Sequence, residues 1–152
     1  MKITIVSVGK KHDALFVQAI NEYQQRVERT IAIEWHYVTP STHSNELARD
    51  AESAMLLAKL KSDDTVWLLD ERGDAIDSIA LSSRLQDARI TAKRLVVLIG
   101  GAYWVNDAVR ARAAFAWSLS KLVFPHQIVR LLLLEQLYRA LEIERGSGYH
   151  HI

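Results

Sequence analysis

The sequence predicts an α/β protein: one domain, residues 1–152, built on a mainly parallel sheet with helices on both faces. Three observations carry this. Segments rich in β-branched residues alternate with segments of helical period along the whole chain. The strand candidates are almost continuously apolar, without the in–out alternation of a sheet that has one wet face, so helices must cover both sides. The length of 152 residues, with 49% hydrophobic and 24% charged content, is enough for one substantial core and shows no composition break.

Taken in order, Lys2 to Val8 (KITIVSV) reads as a buried strand closing on Gly9. His12 to Arg29 carries Leu15, Phe16, Ile20, Tyr23 and Val27 at helical spacing. Ile31 to Val38 is a second strand, and Thr39 to Ser44 a polar loop. Asn45 is placed to cap a helix to Leu60, with Leu47, Ala51, Met55, Leu56 and Leu60 inward. Thr65 to Leu69 is a third strand, followed by the turn chemistry of Asp70-Glu71-Arg72-Gly73. Asp77 or Ser78 caps a helix through Ile90. Arg94 to Ile99 is a fourth strand ending in Gly100-Gly101, and Asn106 caps a short helix to Ala113.

The chain from Trp117 to Phe124 can be extended and stops at Pro125-His126, where proline opens a helix. From Gln127 to Ile143 nearly every helix face is apolar, including the run Leu131 to Leu134. Such a helix is buried on more than one side, and a second copy of the chain is the simplest cover. This stretch is therefore expected to be both ligand wall and dimer seam. Gly146 is placed as its C-terminal cap, leaving Ser147 to Ile152 as a tail.

Several function classes fall away. There is no cysteine, which excludes disulfides, thiolate metal sites and a cysteine nucleophile. The six histidines lack metal-ligand spacing, so no metal is expected. The dinucleotide fingerprint, the P-loop and the serine-hydrolase elbow are all missing. Net charge is +1, so any nucleic-acid contact must come from a local basic patch or from two pooled patches. MKITIVSVGKKHD is not a signal peptide, and Arg130, Glu135 and Arg139 break the longest apolar run. A cytoplasmic protein without a membrane anchor is expected.

In an open α/β sheet the ligand crevice lies at the carboxyl ends of the strands. Here these are Leu69-Asp70, Gly100-Gly101 and Val123-Phe124-Pro125. The glycine pair permits close backbone approach and positive φ. His126 is either a proton carrier or a helix-capping residue. Glu135 and Arg139 sit one turn apart, the spacing of an intrahelical ion pair. Lys10-Lys11, Arg145 and Tyr149-His150-His151 combine a ring with cationic or near-cationic groups, a set able to stack on a base and hold phosphates.

VSVGK near the start, Leu68-Leu69, VVLIGG at 96–101, LSKLVFPHQIVRLLLLEQLYRA at 119–140 and RGSGYHH at 145–151 resemble the RlmH family. Its members are pseudouridine methyltransferases of large-subunit ribosomal RNA, within the SPOUT superfamily of knotted methyltransferases. The resemblance runs the whole chain. It implies a C-terminal deep trefoil knot and a homodimer seamed by the long helix. It also implies S-adenosyl-L-methionine held by Leu69, Gly100, Leu119, Ser120, Lys121, Leu122, Val123 and Phe124. The substrate it implies is 23S rRNA, in the large subunit or the 70S ribosome, methylated at ring nitrogen 3 of a pseudouridine. Arg139, Tyr149, His150 and His151 become the candidates for RNA binding and catalysis, with His126 a weaker one. Tyr149 is expected to stack on the base, His150 to accept or relay its proton, and Arg139 to bind phosphate or the uracil oxygens.

Two positions depart from the family. Ala102-Tyr103-Trp104-Val105 follows the glycine pair where a further glycine is usual, and His151 replaces a usual lysine or arginine. The second departure predicts RNA affinity that rises as the pH falls through the histidine range. Two other readings keep the fold: a knotted methyltransferase acting on tRNA, and a non-catalytic dimeric RNA- or ribosome-binding protein.

Overall fold

The computed structural model describes residues 1–151, so Ile152 of the predicted tail lies outside the described residues. Five strands form one sheet: β1 (Lys2–Val8), β2 (Ala32–Val38), β3 (Thr65–Ala75), β4 (Leu95–Ile99) and β5 (Phe115–Ser118). Their order is β2-β1-β4-β3-β5, and every neighbouring pair is parallel. Five helices cover it: α1 (Val17–Glu28), α2 (Asn45–Ala58), α3 (Ser78–Thr91), α4 (Asp107–Arg112) and α5 (His126–Glu144).

The alternation of side chains along each strand divides the core in two. Odd positions (Ile3, Ile5, Trp67, Leu95, Val97, Phe115 and Trp117) pack with Leu133, Leu134, Leu137 and Leu141 of α5 and with the inner faces of α1 and α3. Even positions (Val6, Val8, Val66, Leu68, Val96 and Leu98) pack with Leu56 of α2 and Val109 of α4. The register explains the match: Ile5 pairs Val97, Val97 pairs Trp67, and Trp67 pairs Phe115, so the odd set faces one side throughout. Helix α5 packs against both α1 and α3. Its Pro125 start and Gly146 stop are as expected: the Ile128 amide donates to the Pro125 carbonyl at 3.0 Å, and Gly146 takes φ +68°.

Four boundaries differ from the sequence reading, each for a local reason. Helix α1 begins five residues late because Asp13 makes a turn instead, its side chain accepting from Leu15 N and its carbonyl from Phe16 and Val17 N. Leu15 is consequently 82% exposed. In α2 the inner face is Ala48, Glu52, Ser53 and Leu56, while Leu47 and Met55 point to solvent. The buried stripe is rotated by about one residue because it takes in two polar side chains that face the loops beyond. Ser44 holds the cap position without a side-chain bond, and Asn45 adopts φ +53° rather than capping.

The third difference is the largest. Asp70-Glu71-Arg72-Gly73 is no turn: β3 runs on to Ala75 through a register shift between Leu69 and Asp74. A β-bulge takes up the extra residues. At Gly73 any β-carbon would overlap the Ala116 carbonyl, so the strand tolerates only glycine at this crossing. Fourth, the last strand lies at Phe115–Ser118 instead of Trp117–Phe124, and residues 119–125 form a loop. That loop carries the chain from the edge strand back across the ends of β3 and β4.

Candidate functional site

The returning loop closes a cleft of about 250 Å³ at the carboxyl ends of β3 and β4. Its walls are Leu69, Asp70 and Glu71 from β3, residues 99–102 with Trp104 and Val105 after β4, and Leu119, Ser120 and 122–126 from the loop. Of the eight residues expected to hold a cofactor, Leu69, Gly100, Leu119, Ser120, Leu122, Val123 and Phe124 line this cleft together. Lys121 sits on the same loop, exposed, and is not part of the wall.

Hydrogen bonds inside the loop set its shape. Ser118 Oγ donates to the Ser120 carbonyl at 3.0 Å, and Ser120 Oγ accepts from the Leu122 amide at 3.0 Å. His126, in the first turn of α5, brings Nδ1 to 3.4 Å from the Gly100 carbonyl, tying the helix start to the glycine pair. The glycines are needed for space, not for φ, because neither has positive φ. A β-carbon on Gly100 would lie 3.0 Å from Val105 Cγ1, and one on Gly101 would overlap the Glu52 carboxylate. Glu52 is buried behind the pair: its Oε2 accepts from the Ser41 amide at 2.9 Å, and its Oε1 has no partner among the described residues. Asp70, buried at the cleft wall, accepts from Arg110 Nε at 3.0 Å and from the Arg72 amide at 3.0 Å. Those bonds anchor the bulge of β3 to α4.

Sequence reasoning treated Arg130 only as a break in an apolar run, yet it is fully buried. Its Nε and Nη2 donate to Ser7 Oγ at 3.3 and 3.1 Å, Nη1 lies 3.4 Å from His12 Nδ1, and the guanidinium is 5.2 Å from the Tyr37 ring. No carboxylate pairs with it among the described residues. Burial pushes its pKa below the usual arginine value. Burial and the neighbouring Arg130 charge lower that of His12. The only signal in the sequence was a cation amid leucines, which a helical period cannot distinguish from a surface residue.

The tail residues gather elsewhere. Arg139 is ion-paired to Glu135 at 2.6 Å, as the i,i+4 spacing implied. Arg139 also places Nη1 3.3 Å from His150 Nδ1 and lies 4.8 Å over the Tyr149 ring. The Tyr149 hydroxyl donates to Glu135 Oε1 at 3.1 Å, and its ring meets Tyr138 edge-on at 4.8 Å. Burial first, then hydrogen bonds with Tyr23 and Glu135, push the Tyr149 phenol well above its ordinary pKa. The hydrogen bond to Glu135 raises that of Arg139. His151 is exposed. His126, at the cleft, and Arg139 are separated along α5 by roughly 20 Å at 1.5 Å per residue. The structure thus brings Arg139, Tyr149 and His150 together, but at the far end of the helix from the cleft of the same chain.

Among the described residues no group of three or more His, Cys, Asp or Glu is placed to hold a metal, and no helix is long and apolar enough to cross a membrane. A parallel α/β sheet with a partly apolar cleft at its carboxyl edge defines the class, an α/β domain with a crevice suited to a small molecule between strand ends. Comparison narrows it. A family model described as "Predicted SPOUT methyltransferase" matches residues 1–150. The chain is 38% identical over 156 aligned positions to the ribosomal RNA large subunit methyltransferase H of Porphyromonas gingivalis, covering 99% of each. It is 37% identical to the proteins of the same name from Anaeromyxobacter dehalogenans and Thioalkalivibrio sulfidiphilus, again covering 99% of each chain. Among solved structures, a probable methylase family protein from Haemophilus influenzae Rd KW20 superposes with a TM-score of 0.55 at 12% identity, over 99% of this chain and 70% of that one, a likeness of fold. The chain belongs to the SPOUT methyltransferase family.

Proposed function

We propose that the protein transfers a methyl group from S-adenosyl-L-methionine to ring nitrogen 3 of a pseudouridine in 23S rRNA, acting as a homodimer on the large subunit or the assembled ribosome. The observation that carries this is the cleft, where seven of the eight residues expected to hold the methyl donor converge. The relatives named as large-subunit rRNA methyltransferases support the choice of substrate.

The wall fits such a donor. Leu69, Leu122 and Phe124 offer apolar surface, and the carboxylate of Glu71 suits its cationic and hydroxyl-bearing parts. When bound, the donor would supply a methyl group on a sulfonium, with the thioether as the leaving group opposite the acceptor nitrogen. The loop's internal hydrogen bonds and the His126 contact with Gly100 keep this wall in one shape, which favours positioning.

Nitrogen 3 must lose its proton, so groups that stabilise the developing uracil anion matter. Tyr149 keeps its phenolic proton, which makes it a stacking group and not a base. Arg139 donates to His150 Nδ1, so a neutral His150 carries its hydrogen on Nε2. In this arrangement His150 offers a donor to a uracil oxygen; the proton-accepting role expected from sequence requires Arg139 to let go first. Because tail and cleft of one chain stand at opposite ends of α5, a complete site needs the tail of a second copy. Half-buried Leu131 and Leu132 on α5 support a seam there. The return of the chain from β5 across the ends of β3 and β4 is in keeping with the family's knot.

The test is methyl transfer from labelled donor to purified ribosomes lacking the modification, beside free large-subunit RNA and tRNA. Label on ribosomes that maps to a pseudouridine is the expected result. Label on tRNA alone, or donor binding without transfer to any RNA, refutes it.

A further inference from the structure

Trp104 is the part of the cleft that the methyl-transfer reading leaves unexplained. Its indole lines the cleft and is 44% exposed, whereas Trp67 and Trp117 are 2% exposed. Packing therefore does not account for a tryptophan at this position. The backbone makes the choice harder still: Trp104 adopts φ +63°, a region that glycine enters without strain and bulky L residues avoid. The surroundings hold it there. Its amide donates to the Gly101 carbonyl at 3.1 Å, closing a small bridge. Val105, next in the chain, is buried against Gly100, and the Asn106 amide donates to Ser53 Oγ at 3.0 Å. With the chain anchored on both sides, the Trp104 backbone is fixed beside the cleft. A strained residue whose half-exposed side chain borders a ligand cleft is the kind of outlier that functional sites retain.

We propose that Trp104 is a stacking platform for the purine ring of the methyl donor, sharing the rim with the exposed Leu122 and Val123. This rests on the cleft being the donor site. Charge favours the donor's ring over a base of the RNA. Asp70 in the nearby wall is neutralised by Arg72 and Arg110, but Glu71 has no ion-pair partner among the described residues. That carboxylate repels a phosphodiester and suits a cationic ligand. An indole face against a purine, with aliphatic side chains beside it, removes both ring faces from water and needs no specific hydrogen bond.

Binding of S-adenosylmethionine and of 5′-methylthioadenosine, which keeps the purine and lacks the amino-acid part, is measured by calorimetry for wild type, Trp104→Gly and Trp104→Phe. Loss of stacking is expected to weaken both ligands about tenfold in Trp104→Gly, while Trp104→Phe stays within about threefold of wild type. Thermal unfolding provides the second readout: Trp104→Gly melts at the wild-type temperature or above it, because the φ strain is gone, so a lost affinity is not a lost fold. If Trp104→Gly binds both ligands as wild type does, the stacking role is overturned and the donor site stands. If its donor affinity is unchanged and only the KM for ribosomes rises, the ring serves the RNA and the proposal is likewise overturned. Failure of wild type to bind either ligand overturns the donor site itself, and this inference with it.

Discussion

Replacing Gly101 by alanine tests how the cleft is built. The added β-carbon would lie 3.0 Å from Val8 Cγ1 and 3.2 Å from Glu52 Cδ, and would overlap Glu52 Oε1. Val8 and Glu52 are both buried, and Glu52 is held by the Ser41 amide, so the obstruction cannot swing away without giving up that bond. Overpacking of this kind costs typically 1–3 kcal/mol, and about 2 kcal/mol is expected here. The carboxylate is the main obstacle, so Gly101→Ala should cost much less in a Glu52→Ala background, with a coupling of about 1–2 kcal/mol. Glu52→Gln keeps the side-chain volume and should give no such relief, which separates a steric cause from an electrostatic one. The measurement is equilibrium unfolding in urea followed by circular dichroism, at one fixed protein concentration so that the proposed self-association cannot shift the midpoint between variants. If Gly101→Ala costs the same in wild type and in the Glu52→Ala background, within about 0.5 kcal/mol, the steric account of the glycine is wrong.

Three further outcomes follow from the same geometry. His12 has its pKa lowered in the folded state by burial and by Arg130, so the unfolded chain binds the proton more tightly; stability is complete above the unfolded value near ~6.5 and declines as the pH falls from there through the lowered folded value. His12→Gln should flatten that part of a urea-midpoint profile against pH, and an unchanged profile counts against the contact. Gly73→Ala, which drives a β-carbon into the Ala116 carbonyl, should break the β3–β5 bulge, cost on the order of 3 kcal/mol and alter the near-ultraviolet circular dichroism of the Trp67, Phe115 and Trp117 stack; a native spectrum and midpoint would exclude it. In single-turnover methylation Tyr149→Phe should stay within a few-fold of wild type while Tyr149→Ala falls about tenfold or more, and equal losses in both would move the role from the ring to the hydroxyl.

Much of the architecture was legible in the residues. Continuous β-branched runs marked β1, β2 and β4 to within a residue, and Pro125 and Gly146 marked the ends of α5. Each signal is local: a backbone angle, a missing donor, a preferred rotamer. The bulge in β3 was not legible, because Asp70 to Gly73 has the composition of a turn and stays in the strand only through Arg110, Arg72 and the close approach of Ala116. The start of α1 was missed for a similar reason, as Asp13 bonds its own backbone two residues on instead of letting the helix begin.

For the site, the sequence by itself pointed to the cleft through two strand ends, Leu69-Asp70 and Gly100-Gly101, each readable one segment at a time, whereas Val123-Phe124-Pro125 reaches the cleft as loop and not as a strand end. Tertiary structure alone decided three things. It showed that Gly101 is required by Glu52 rather than by φ, that Arg130 is buried beside Ser7 and His12 with no carboxylate among the described residues, and that Arg139, Tyr149 and His150 stand a helix length from the cleft of their own chain. All three depend on groups distant in sequence meeting in space. Periodicity reports which face of an element is buried; which group waits there is settled only when the elements pack.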